Sequence, residues 1–435
     1  VSSVVEVREM TCRERKPLMS RASALFAGLF ALMALSGPGA SHAVAQALPV
    51  FSPTGPDAAA YGEAEGYPVG TAKTMGGQRS MVGTYSHYDA IHPTHPVAAP
   101  TAASRLDRAA HEISITWGTT EAPNTVDTYL ATHPVTGLLL LRGRTILMER
   151  YRYARTDQDR LTTQSVAKTI VAMLAGIALA EGKIHSLDDE VAAYVPELAG
   201  TEPGRTKLRA LLEMSSGLAF REVYNGKDDI ADLGRALLRA HGKGTAEILA
   251  QFNHRVSPQG TVFNYAGLDT ELLGLAVARA SGASLAELLS RGIWNKIGAE
   301  ASGHWTIDTN GHEVAYCCLS ATLRDWGRLG ALLAADGVWD GQSVIPRDYL
   351  IAATSPHPGG ITRTIGRRAL GYGYQVWLLP GPGRQFALRG LAGQAIFIDP
   401  QRGLVMVHTA VRNTTTDPGA EADLLALWEA FVAQS

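Results

Sequence analysis

The chain is poor in cysteine, with three in 435 residues, and poor in lysine, with eight against 31 arginines. So few cysteines exclude a disulfide-built fold, and no C-x-x-C spacing offers a zinc site. Charged residues make up only 18% and the formal net charge is −2, which leaves no basic footprint for nucleic acid or an acidic membrane. Absent as well are G-x-S-x-G, G-x-x-x-x-G-K-[ST], H-E-x-x-H and G-x-G-x-x-G, and with them the usual nucleophile elbow, P-loop, zincin and dinucleotide signatures. The 13 histidines are scattered without ligand spacing, so neither a metal nor a cofactor is expected. No internal repeat is visible.

What remains is a 46% hydrophobic chain, ample for a large core. At its start, Arg15, Lys16 and Arg21 precede the apolar "ASALFAGLFALMALS", and "SHAVAQA" then offers A-x-A-like cleavage sites. Residues 1–47 therefore read as a signal peptide with an upstream extension, which predicts a periplasmic or secreted protein. The apolar run falls short of the roughly 20 residues of a comfortable span, so no stable membrane span is expected after cleavage. Residues 48–125, rich in Pro, Gly, Ala, Ser and Thr, predict an extended N-terminal arm, and 126–435 the folded domain. Cleavage would remove Cys12, and the neighbours Cys317 and Cys318 are expected as two buried thiols, because a bridge favours Cα atoms farther apart than one peptide step.

Within the domain, "TGLLLLRGRTILMERY" predicts a hairpin turning at Gly143, and "SVAKTIVAMLAGIALAEG" a helix apolar on nearly all sides. Mostly helical signals follow over about 185–355, including a helix "TELLGLAVARASG" that Asp269 could cap. Strand patterns return at 372–380, 384–390, 394–400 and 403–411, before a closing helix over 421–433. The order implies an α/β (α+β) fold: an antiparallel sheet flanked by helices, plus a helical lobe, with a cleft between them.

Chemistry concentrates at Ser165 and Lys168. A serine hydroxyl needs a base as it attacks, and three residues along a helix place both side chains on one face. A lysine inside so apolar a helix is costly unless paired or functional. Chance alone supplies about one S-x-x-K in such a chain, and serine is an ordinary helix cap, so spacing leaves nucleophile and cap both open.

The stretch "DRLTTQSVAKTIVAMLAGIALAEGKIHSLDDEVAAYVPELAG", with "LRALLEMSSGLAF", resembles the serine β-lactamase and penicillin-binding-protein superfamily, whose nucleophile motif is S-x-x-K. With "FREVY", "CCLSATLRDWGRLG" and "GLAGQAIFIDP", it is similar to the branch of 6-aminohexanoate-dimer (nylon-oligomer) hydrolases and class C-like esterases. The resemblance implies a β-lactamase/transpeptidase-like fold and assigns Ser165 as nucleophile, Lys168 as base and Tyr265 as the proton shuttle to the leaving group. It implies an oxyanion hole from the backbone N–H groups of Ser165 and Leu391. Gly390, Gly393 and Gln394, from the family's G-x-x-G-Q, and Tyr224 would line the substrate. Arg324 and Asp325 match the family too, but a helix-start ion pair accounts for them.

Two departures qualify the resemblance. The third residue of the family's Y-x-N or Y-x-S is missing after Tyr265, and no lysine follows Lys296, so K-[ST]-G is absent. The site thus lacks the usual grip on a β-lactam carboxylate. The expected activity is that of an exported serine hydrolase acting on a small linear amide or ester, the 6-aminohexanoate dimer among them. Carboxylesterase, β-lactamase or D-aminopeptidase activity on the same fold, or a catalytically silent cell-wall-binding relative, are the alternatives. The oligomeric state is not legible.

Overall fold

The computed structural model describes residues 47–357, 363–365, 368–414 and 417–435. The expected signal peptide, through residue 46, lies outside the described residues. Among the described residues no single helix is long and apolar enough to cross a membrane.

The main sheet is ordered Thr145–Tyr151, Val135–Arg142, Leu404–Ala410, Gln394–Asp399, Phe386–Gly390, Trp377–Leu378, Arg368–Tyr372 and Arg363–Ile365, antiparallel throughout this run. Its central strands are buried at nearly every position and mostly apolar because both faces are covered. Leu139, Leu141, Val405, Val407, Ile396 and Ile398 join the core beneath the helices Val166–Ala180 and Leu323–Ala334. Their alternates Leu138, Leu140, Leu404, Met406, Ala395 and Phe397 join a second core beneath the closing helix Pro418–Gln434. The two-residue period of a strand thus divides one continuous apolar run between two cores.

The segment before residue 126 is stitched onto this body. Val50–Phe51 and Asp107–Arg108 both pair parallel to the edge strand Thr145–Tyr151. Thr94–Val97 joins a small sheet with Gly303–Thr306, Leu319–Ala321 and Leu161–Thr162. That last strand runs directly into Ser165.

Two expectations are corrected here. The run 372–380 is not one strand: it breaks after Tyr372, and Gln375 turns into the left-handed region at φ 54°. The buried Gln375 amide accepts from Thr270 Oγ1 at 2.8 Å and donates to the Leu211 carbonyl at 3.1 Å, tying the sheet edge to the helical lobe. The helix expected to start at Thr270, after Asp269, begins three residues earlier, at Gly267, so Asp269 lies buried in its first turn and caps nothing. The first N–H of that helix, from Gly267, goes instead to Glu222 Oε2 at 2.5 Å.

Candidate active site

Gln164, at φ 52°, turns the chain sharply out of the strand Leu161–Thr162, and Ser165 follows with helical angles at the head of Val166–Ala180. The helix then carries Lys168 back under the serine: Lys168 Nζ donates to Ser165 Oγ at 3.0 Å and to the Tyr316 carbonyl at 3.0 Å. Ser165 is 8% exposed and Lys168 1% exposed. The Ser165 N–H is taken by no acceptor among the described residues, as the free N-terminus of a helix allows.

A lysine buried this deeply can take up a proton only beside a partner, and Glu222 supplies one, with Oε1 4.0 Å from Lys168 Nζ. The same oxygen accepts from the Tyr224 hydroxyl at 2.5 Å. Tyr224 sits at φ 59°, a strained angle for a residue with a side chain. Asp228 Oδ2 holds it there by accepting the N–H groups of Val223 at 2.7 Å and Tyr224 at 2.6 Å. Burial alone would raise the Asp228 carboxyl, but these backbone donors keep it below the usual carboxylate range.

Tyr265 presents its ring with the centroid 4.9 Å from Lys168 Nζ, stacked on Trp377 at 5.8 Å and edge-on to Tyr372. Across the cavity from the helix, the end of Phe386–Gly390 approaches so closely that a Cβ on Gly390 would stand 2.2 Å from the Thr163 carbonyl and 3.0 Å from the Ser165 nitrogen. Only glycine fits there. Leu391, next along, lines the same cavity of about 290 Å³ as Ser165, Glu222 and Tyr224.

Ser165, Lys168, Tyr265, Tyr224, Gly390 and Leu391 are thus brought together. Gly393 and Gln394 lie behind them and do not line the cavity. Gly393, at φ 92°, passes against Ala410 and Arg412, and its carbonyl accepts from His408 Nδ1 at 2.7 Å. Burial holds His408 neutral, down to about 3, with Nε2 left to face the Tyr129 hydroxyl at 3.1 Å. The Gln394 amide is buried and both its ends are spent on Ala410. This pair shapes the Leu391 turn from beneath. Arg324 and Asp325 do not pair with each other: Arg324 bonds Glu149 at 2.7 Å, and Asp325 pairs with Arg328 at 3.0 Å and accepts from the Glu300 and Ala301 N–H groups.

The expectation of two thiols is overturned, since Cys317 and Cys318 form a disulfide across a single peptide step of 3.8 Å between Cα atoms. Cys318 lies in the left-handed region at φ 69°, and that turn brings together two side chains which an extended backbone would point apart. Cys317 lines the cavity beside Ser165. Glu222 and the Tyr316 carbonyl were not legible as site groups: one acid in a loop and one backbone oxygen carry no spacing signal.

The Beta-lactamase family pattern matches residues 124–429. The chain belongs to the beta-lactamase family. It is a serine hydrolase of that fold. It is 26% identical over 280 residues to the 6-aminohexanoate-dimer hydrolase of Paenarthrobacter ureafaciens, covering 62% of this chain and 70% of that one. A Bacillus anthracis structure assigned as a 6-aminohexanoate-dimer hydrolase superposes with a TM-score of 0.72 at 21% identity, over 82% of this chain and 94% of that one. A family VIII carboxylesterase superposes with a TM-score of 0.54 at 18% identity, over 70% of this chain and 93% of that one. The fold expected from the sequence is therefore the fold found.

Proposed function

We propose that this member of the family is an exported amidase or esterase that cleaves a short linear amide or ester through an acyl-enzyme. The observation that carries the reading is the 3.0 Å contact between Lys168 Nζ and Ser165 Oγ at a cavity wall that Leu391 faces. Ser165 Oγ attacks the carbonyl carbon while its proton passes to Lys168, which acts as the neutral amine, and the ammonium so formed is met by the Tyr316 carbonyl and by Glu222. The N–H groups of Ser165 and Leu391 receive the oxyanion. Tyr265 hands a proton to the departing amine or alkoxide and regains one from the Lys168 ammonium, and water then releases the acyl group with Lys168 and Tyr265 acting again. Export is supported by the basic and apolar leader with its small-residue cleavage sites.

Amide cleavage of the 6-aminohexanoate-dimer type is supported by the curated relative and by Tyr224 on the cavity wall. Carboxylesterase activity is the second reading, favoured by the absence of K-[ST]-G and by the likeness to a carboxylesterase fold. The test is release of amine from the linear 6-aminohexanoate dimer beside hydrolysis of p-nitrophenyl acetate, on the wild type and Ser165→Ala. Turnover of both that vanishes in the variant supports the amidase, and ester turnover alone supports the esterase. Activity surviving in Ser165→Ala, or a Ser165 that neither turns over substrate nor takes a fluorophosphonate label, overturns the mechanism.

A further inference from the structure

The helix Asp229–Arg239 forms the wall of two cavities at once. Ile230 and Ala231 line the one that holds Ser165, while Gly234, Arg235, Leu238 and Arg239 line a second of about 230 Å³. Positions 230, 231, 234, 235 and 238 fall on one helical face, so the two spaces follow a single stripe. They also share Gln164 and Cys317 as a common border. From Ile230 to Leu238 the stripe runs about 12 Å at the rise of an α-helix.

The chemistry changes along that stripe. Near Ser165 the acids Glu222 and Asp228 are already engaged with Gly267, Tyr224 and Val223. Farther out, the walls are the Cys317–Cys318 bridge, Leu238, and Met75 and Tyr88 from the N-terminal segment. At the far end stand two exposed guanidiniums. Arg235 is shared with Asp232 and the Gly226 carbonyl, but Arg239 bonds only the Ala72 carbonyl, at 3.1 Å, and meets no carboxylate among the described residues. His92 beside them leaves Nε2 buried without a partner. Tyr265, which serves the leaving group, lies off this stripe against Trp377 and Tyr372, so the stripe faces the acyl side of the scissile bond.

We propose that this trough is an acyl-chain subsite for a linear apolar chain ending in a carboxylate, which Arg239, assisted by Arg235, receives. The proposal rests on the serine-hydrolase reading and names its substrate class: ω-carboxyacyl amides or esters, as distinct from the 6-aminohexanoate dimer, whose acyl half ends in an ammonium. The N-terminal segment, anchored to the helix through Ala72, completes the subsite.

The experiment compares kcat/KM for p-nitrophenyl octanoate with that for the mono-p-nitrophenyl ester of suberic acid, which has the same chain length with a terminal carboxylate. One exposed arginine–carboxylate pair predicts a preference for the carboxylate of about three- to fivefold, shrinking at high salt. In Arg239→Ala the ratio falls to about one, and Arg239→Lys restores part of it. Taking the ratio within each protein cancels any loss of folded enzyme. Equal or lower rates for the suberate ester in the wild type, or a preference that survives Arg239→Ala, overturn the proposal. Calorimetric titration of Ser165→Ala with suberic acid monoamide, which keeps one carboxylate, and with octanamide, which has none, separates the two readings. If no ester is turned over, the hydrolase reading fails, while tighter binding of the suberic acid monoamide than of octanamide, lost in Ser165→Ala/Arg239→Ala, still supports the trough and its absence overturns it.

Discussion

Glu222 Oε1 stands 4.0 Å from Lys168 Nζ, and neither side chain is more than 2% exposed. The carboxylate also receives the Tyr224 hydroxyl and the first N–H of the helix Gly267–Ser281, so one acid ties the base, a cavity wall and the lobe together. Replacing it by leucine leaves Lys168, the Tyr224 hydroxyl and the Gly267 N–H buried without their shared carboxylate, which costs about 3–5 kcal/mol of stability. Glu222→Gln keeps the shape and removes only the charge, so its expected signature is a fall in kcat with a displaced pH–rate profile. A profile that superposes on that of the wild type would assign Glu222 to packing alone.

The proposed second oxyanion donor, the Leu391 N–H, can be deleted at one position. Gly390 has φ −138° and ψ 166°, extended angles that suit a residue before proline. Leu391→Pro therefore removes the N–H with little cost to the chain, and kcat is expected to fall by about 10²–10³. Steady-state kinetics beside thermal melting checks this. A variant that melts like the wild type and retains full kcat would remove Leu391 from the oxyanion hole.

Tyr265→Phe preserves the ring stack on Trp377 and loses only the hydroxyl. The expected loss of kcat is about 10²–10⁴ with an unchanged melting temperature, the range for one general acid–base group. A larger loss on the amide than on the p-nitrophenyl ester is expected, because an amine leaves only when protonated.

Asp269 predicts a pH dependence of stability. Burial, opposed by Ser216 and Arg255, pushes its carboxyl up to about 8. An unfolded aspartate titrates near about 4, so between these values the native state holds a proton that the unfolded state has lost. Stability from this group is therefore present at low pH and declines as pH rises toward about 8. Asp269→Asn should melt with the wild type near pH 5 and above it near pH 9. A constant difference across that range would contradict the assignment.

The bridge between Cys317 and Cys318 is checked by alkylating the denatured protein before and after reduction. Both cysteines should label only after reduction. Labelling of both without reductant would return them to the free thiols that their adjacency in sequence suggests.

By itself the sequence determined the pieces with local or periodic signatures. The stretch "TGLLLLRGRTILMERY" read as a hairpin turning at Gly143, the helix after Ser165 as a buried one, and three residues along that helix put Ser165 and Lys168 on one face. Together with the family resemblance, they singled out Ser165, Lys168, Tyr265, Tyr224 and the Gly390–Leu391 turn, which the structure brings together. Tertiary structure decided what depends on distant segments meeting. It brought Glu222 to Lys168, spent Gln394 on Ala410 behind the site, closed Cys317 on Cys318 through a left-handed turn, and laid Met75 and Tyr88 along the helix Asp229–Arg239. None of these has a spacing in the chain, because an ion pair or a cavity wall is set by where two elements pack, while periodicity reports only which face of one element is dry.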